Sequence, residues 1–169
     1  EEDMSENIIS HLKNISLFQD FADNDEYLKK IIEIIKFQSC PKNTQVIREG
    51  DQGDSLYILH QGSVHIEKNT HQGDCFTVAT LSDSSYSFFG ELSLVDEELR
   101  SASVVTITDC KFLTINREDF QAFGDRYPEI GLPITRQISK MLSSRMRKAN
   151  NDIITLFEAL VQEIEGDKG

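Results

Sequence analysis

The chain has 169 residues, enough for one domain with a sizeable core or for one domain plus an extended helix. Its 38% hydrophobic and 27% charged content reads as a soluble globular protein, and a formal net charge of −12, from 29 acidic against 17 basic side chains, argues against binding a nucleic-acid backbone. No run is long and apolar enough to span a membrane, and the start, Glu1-Glu2-Asp3-Met4, has no targeting character.

Residues 5 to 37 carry Ile8, Ile9, Leu12 and Ile15, then Tyr27, Leu28, Ile31, Ile32 and Ile35, at helical spacing. Between them Leu17-Phe18-Gln19-Asp20-Phe21 suits a turn of helix on the core. Cys40-Pro41-Lys42-Asn43 ends this helical reading, so 1–43 is expected to be an N-terminal helical segment. From 44 to 116 the pattern turns to short strands at 45–47, 56–59, 63–66, 76–81, 102–106 and 112–115, punctuated by Gly50, Gly53, Gly62 and Gly73. Many short strands at close intervals predict a sandwich or barrel.

Gly50-Asp51-Gln52-Gly53-Asp54 lacks the later acids of a calcium loop and reads as a tight turn. His11, His60, His65 and His71 are scattered without ligand spacing, so no metal is expected. Cys40, Cys75 and Cys110, 35 residues apart each time, match no metal or redox spacing and predict free thiols in a reducing, cytoplasmic setting. An opening Glu rather than Met predicts a piece of a longer chain.

Inside the strand-rich region, Phe88-Phe89-Gly90-Glu91-Leu92-Ser93-Leu94 and then Leu99-Arg100-Ser101-Ala102-Ser103-Val104 read together as a phosphate trap over 88–104. A glycine ahead of Glu91-Leu92-Ser93-Leu94 suits a very short helix whose first N–H groups attract an anion. Arg100 sets a planar, permanently charged fork beside it, able to hold one phosphate bidentately while Ser101 adds a hydroxyl donor. Glu91 would be repelled by that phosphate unless it turned away to accept hydrogen bonds from a sugar's hydroxyls. The combination describes a ribose phosphate better than an inorganic anion. The competing reading is a turn, a surface Glu91, and Arg100 paired with Asp96, Glu97 or Glu98.

Past Asn116-Arg117-Glu118-Asp119-Phe120 the chain turns helical again, with Asn116 at a cap position. Tyr127-Pro128-Glu129-Ile130 starts a further segment, with Pro133 expected in a first turn. The last helix, 134–164, repeats Leu142, Met146, Ala149, Ile153, Leu156 and Leu160 at gaps of 4, 3, 4, 3 and 4. That is a coiled-coil seam, and it predicts a homodimer through the C-terminal helix; the competing reading lays the helix along the chain's own strands. Ser143-Ser144-Arg145-Met146-Arg147-Lys148 is the only basic cluster and is too small for DNA.

Gly90-Glu91-Leu92-Ser93-Leu94 followed by Arg100-Ser101-Ala102, with Glu49-Gly50-Asp51-Gln52-Gly53-Asp54-Ser55-Leu56-Tyr57-Ile58-Leu59 and Gly62-Ser63-Val64 upstream, resembles the cyclic nucleotide-binding domain family. The resemblance runs from about 17 to 160. It implies an α+β, mainly β fold: an antiparallel, jelly-roll-like β-roll over 44–116, flanked by N-terminal helices and by C-terminal helices over 117–169. It implies a cyclic nucleoside monophosphate as ligand, with no cofactor. The backbone around Gly90, Leu92 and Ser93, with Arg100 and Ser101, would hold the cyclic phosphate. Glu91 would hold the ribose 2′-hydroxyl, and Ala102 would let the sugar phosphate sit close. Arg145 falls where dimeric bacterial members close the long helix over the base, a position they fill with a small hydroxyl residue. The candidate binding set is Phe89, Gly90, Glu91, Leu92, Ser93, Arg100, Ser101, Ala102 and Arg145.

The function implied is a non-enzymatic sensor, with cyclic AMP favoured over cyclic GMP, in which ligand shifts the terminal helix between positions. Departures from the family pattern are Ser82-Asp83-Ser84-Ser85-Tyr86-Ser87 where a Gly-Asp turn is frequent, Glu97 for a glycine and Leu99 for a proline. Bacterial regulators of the family continue into a helix-turn-helix domain, whereas this chain stops after the long helix, so no DNA binding is expected of it. The alternatives are a dimerisation or scaffold module with an empty or repurposed pocket, and a regulatory segment of a larger transcription factor or enzyme. No nucleophile with a base and no metal-ligand set points to an enzyme.

Overall fold

The computed structural model describes residues 2–97 and 99–166. Its strands form two antiparallel four-stranded sheets. One runs in the order β1 (Lys36–Cys40), β8 (Cys110–Asn116), β3 (Ser55–Gln61), β6 (Phe88–Phe89); the other runs β2 (Gln45–Ile47), β7 (Ser103–Thr106), β4 (Ser63–Asn69), β5 (Cys75–Ser82). Leu56-Tyr57-Ile58-Leu59 on β3 is an unbroken apolar run because both faces of its sheet are covered. Leu56 and Ile58, with Leu113 and Ile115 of β8, pack under the helices. Leu59 and Phe112 point the other way, into the core between the sheets.

The helical layer is α1 (Glu2–Lys13), a 3₁₀ turn at Ser16–Phe21, α2 (Asp25–Ile32), α3 (Arg117–Arg126) and α4 (Pro128–Gly166). Leu12, Ile15, Leu17, Phe18, Leu28 and Ile31 are fully buried. Each such side chain contributes about 1.5–3 kcal/mol, so packing rather than intrinsic propensity holds helices this short. Asn24 caps α2 by accepting from the Tyr27 N–H at 3.2 Å, and Asn116 caps α3 by accepting from the Glu118 N–H at 2.9 Å.

Two expectations need correcting. The helical reading of 5 to 37 runs too far: α2 stops at Ile32, and Lys36–Cys40 is a strand paired with β8 from Lys36↔Thr114 to Cys40↔Cys110. Lys36, Phe37, Gln38 and Ser39 are all exposed, so this edge strand carries no burial alternation to read, and the partner that recruits it lies about seventy residues away. The last helix starts at Pro128 rather than 134, and Pro133 lies in its interior instead of a first turn. Pro133 cannot donate to the Glu129 carbonyl, but Ile130, Ile134 and Ile138 bury around it and hold the helix together.

At 39 residues α4 extends about 58 Å at roughly 1.5 Å per residue. Its first turns cross α3 where Gly131 faces Gly124, while further along Leu142, Met146, Ile153, Leu156, Phe157 and Leu160 stand exposed. Among the described residues no helix is long and apolar enough to cross a membrane.

Candidate ligand site

Strand β6 ends at Gly90, whose φ of 76° lies in the left-handed region that favours glycine. The chain then enters a single 3₁₀ turn, Glu91–Leu94, closed by the Ser93 N–H donating to the Gly90 carbonyl at 3.1 Å. The first N–H groups of such a turn have no carbonyl behind them. After the acidic link, Arg100 is clamped by its own backbone: its N–H donates to the Asp51 carbonyl at 2.8 Å, and its carbonyl accepts from the Gly50 N–H at 2.9 Å. The Gly50–Asp54 turn thus holds Arg100 in place.

The Arg100 side chain runs inward over Gly53 and Gly90. Its Nη1 donates to Ser93 Oγ at 2.7 Å and its Nη2 to the Ser55 carbonyl at 2.9 Å, with the guanidinium 5.9 Å from the Tyr57 ring centre. No carboxylate among the described residues forms an ion pair with it. Glu97, one of the partners the competing reading offered, pairs with Arg117 at 3.1 Å, and Glu98 lies outside the described residues. Burial pushes the Arg100 guanidinium down from its ordinary value, and neighbouring Arg117 adds to that, against the pull of Tyr57, Asp54 and Glu91. A half-buried cation without a counter-ion favours an anion beside it.

Glu91 is 3% exposed. Arg145 of α4 forms an ion pair with its Oε1, yet that oxygen receives no directed hydrogen bond. A buried carboxylate oxygen left in this state has acceptor capacity for a hydroxyl donor.

These groups share one cavity of about 490 Å³. All nine candidate residues, Phe89, Gly90, Glu91, Leu92, Ser93, Arg100, Ser101, Ala102 and Arg145, line it. The apolar wall comes from the second sheet, with Ile47, Ile66, Leu81 and Val104, and Lys68 supplies a further cation at the rim. Sequence reasoning missed Lys68, although Val64, Ile66 and Lys68 alternate onto one face of β4 and that register could have placed it. It also missed Arg117, whose Nε donates to the Ser93 carbonyl at 2.7 Å and Nη2 to the Gly53 carbonyl at 2.6 Å, bracing the site from beneath. No signal in the sequence marks that role. Among the described residues no group of three or more His, Cys, Asp or Glu is placed to hold a metal.

A basic fork and an acid facing one cavity between the sheets of a β-roll define a ligand-binding domain, and comparison with known proteins gives its class. The sequence profile described as Cyclic nucleotide-binding domain matches residues 37–127, and the chain belongs to that family. It is 32% identical over 119 residues to a CRP-like cAMP-activated global transcriptional regulator of Mycobacterium tuberculosis, covering 69% of this chain and 50% of the relative. It is 30% identical over 119 residues to the cGMP-dependent protein kinase, isozyme 1, of Drosophila melanogaster, covering 69% of this chain and 15% of the kinase. The crystal structure of the Thermus thermophilus catabolite activator protein superposes with a TM-score of 0.69 at 29% identity, over 78% of this chain and 59% of that one. The chain thus spans about half the length of the bacterial regulator it matches.

Proposed function

We propose that the chain is a cyclic AMP sensor module with no catalytic step of its own, built as an N-terminal helical segment, a β-roll carrying the binding cassette at 88–104, and a C-terminal helical segment that relays the ligand's arrival. One observation carries this reading: a single cavity holds both a half-buried guanidinium with no counter-ion among the described residues and a buried carboxylate, Glu91, whose Oε1 faces Arg145 and keeps acceptor capacity for a hydroxyl. A cyclic ribose phosphate answers both at once. Its anion lies against Arg100, Ser101 and the first N–H groups after Gly90, and its 2′-hydroxyl donates to Glu91. Ala102 keeps the wall low, and the aliphatic side chains of β4, β5 and β7 receive the base.

Arg145 is the link to α4. In this structure it is engaged with Glu91, the acid that the sugar would claim, so a ligand redistributes an ion pair that ties the long helix to the cassette. Names point both ways, since the Mycobacterium relative is cAMP-activated and the Drosophila kinase cGMP-dependent.

The module pairs with a second copy through α4 and leaves any DNA-binding or enzymatic output to other segments, in keeping with its charge of −12. Calorimetric titration with cyclic AMP and cyclic GMP tests the ligand. Cyclic AMP should bind the more tightly, and Arg100→Ala should weaken it about a hundredfold or more, as expected for removing one partner of a buried charged contact. Equal affinity in the variant would remove the phosphate from Arg100, and tighter cyclic GMP binding would reverse the choice of base.

A further inference from the structure

Cys40 and Cys110 lie 70 positions apart in the chain and face each other directly across the β1–β8 ladder. Directly opposed residues of an antiparallel pair have Cα atoms about 4.5–5.5 Å apart and side chains on the same face. That spacing lies inside the roughly 4.4–6.8 Å range that a disulfide spans. Both side chains belong to the same core cluster between the sheets, and both thiols are free. Neither is locked to the other: Cys40 Sγ accepts from Gln38 Nε2 at 3.5 Å, and Cys110 Sγ lies 3.4 Å from both the Ser63 and the Thr108 carbonyl, to either of which its one S–H can donate. These are weak bonds, as thiols generally make.

A second cavity of about 310 Å³ opens on the pair, with Pro41, Gln61, Asp109 and Lys111 around the two cysteines. It is separate from the nucleotide cavity and shares no lining residue with it. Cys40 is the less buried residue of the two, at 7% exposure against 2% for Cys110.

We propose that Cys40 and Cys110 are a peroxide-responsive dithiol that closes to a disulfide across β1 and β8. The Cys40 thiolate attacks one oxygen of a hydroperoxide; an S–O bond forms, the O–O bond breaks, and the other oxygen leaves with a proton as water or an alcohol. The Cys110 thiolate then attacks the Cys40 sulfenic sulfur; the S–S bond forms, the S–O bond breaks, and the hydroxide departs as water with the second thiol proton. Two electrons pass from the two sulfurs to the peroxide, and a dithiol reductant reverses the step. The third cysteine, Cys75, is exposed on β5 and takes no part.

The test uses the full chain with Cys75→Ser, an exposed position that leaves the core untouched. After exposure of the folded protein to hydrogen peroxide, thiols are alkylated under denaturing conditions and the intact mass is read. Free thiols should fall from two to none, with a mass lower by two hydrogen atoms, a monomeric band on a non-reducing gel, and full recovery on adding dithiothreitol. Adding Cys40→Ser should leave Cys110 free under the same treatment. Two thiols persisting, a sulfinic acid on Cys40 without a disulfide, or a crosslink between chains would each overturn the proposal. None of these readouts depends on the ligand in the other cavity.

Discussion

A glycine of ordinary backbone conformation tolerates alanine unless another atom occupies the place its Cβ would take. At Gly53 that place overlaps Nε, Cζ and Cδ of Arg100. Gly53→Ala therefore pushes the guanidinium off its seat without altering any cavity-lining residue. Because the displaced group is a flexible side chain, stability should change by less than about 1 kcal/mol. Cyclic AMP affinity should fall about tenfold or more, measured by calorimetry beside a denaturant titration; unchanged affinity would mean that Arg100 needs no such seat. This contrast also marks how far the site could be read from residues alone. That Glu91, Arg100 and Ser101 share one cavity was legible because one short stretch carries them. Gly53, Tyr57 and Arg117 were not, because each acts through a tertiary contact with residues about 25 to 65 positions away, and their types in sequence suit ordinary turns, cores and caps.

At the scale of elements, the crossing of α3 and α4 sets two glycines against each other with opposite expectations. A Cβ on Gly131 would stand 2.6 Å from the Gly124 Cα, a backbone atom that cannot step aside, whereas a Cβ on Gly124 meets nothing closer than 3.8 Å. Alanine favours a helix over glycine by about 1 kcal/mol. Gly124→Ala should gain that and raise the thermal midpoint; Gly131→Ala should lose about 1–3 kcal/mol net to overpacking and lower it. Thermal unfolding followed by circular dichroism separates the two. The docking of α1 on β3 carries a pH dependence of definite sign. His11 of α1 and His60 of β3 stack edge to face at 4.9 Å, with Tyr86 against His11 at 5.2 Å, and His11 Nε2 donates to the Leu59 carbonyl at 3.1 Å. Burial lowers both imidazoles, His11 further by His60 and His60 further by Lys111, while Asp83 pulls each upward. The unfolded chain therefore takes protons that the folded one resists. The stabilisation is complete above the ordinary imidazole value, about 6.5, and is lost as pH falls from there towards the lowered folded values. Urea midpoints should fall between about pH 7.5 and 5.5, and His60→Gln should flatten the decline. The scattered histidines gave no hint of this pairing, for the same reason that β1 was read as helix: both depend on a partner that only the folded sheet supplies. Helices and inner strands were legible because burial writes a period into their sequence.

At the scale of the whole molecule, the long helix leaves an apolar face uncovered among the described residues. From Leu142 to Ile164, α4 presents Met146, Ile153, Leu156, Phe157 and Leu160 to solvent, with Leu156 65% and Phe157 67% exposed, far more contiguous apolar surface than a lone helix sustains. The heptad spacing of Leu142, Met146, Ala149, Ile153, Leu156 and Leu160 fits a second copy of the same helix. Sedimentation equilibrium should find a dimer that tightens as salt screens two chains of charge −12, and Leu156→Glu with Leu160→Glu should return it to monomer with the β-roll intact. Met146, a seam position, adjoins Arg145, which reaches Glu91 in the cavity, so a ligand there and a second copy on the seam would act on one helix. Linkage makes the consequence reciprocal: with one site on each of two equivalent chains, the factor that saturating cyclic AMP applies to the dimerisation constant is the square of the factor that dimerisation applies to affinity at each site. The monomeric variant should therefore bind cyclic AMP with an affinity altered by the square root of the factor by which saturating ligand changes dimerisation of the parent chain. If both quantities stay fixed, α4 pairs copies but relays nothing from the pocket.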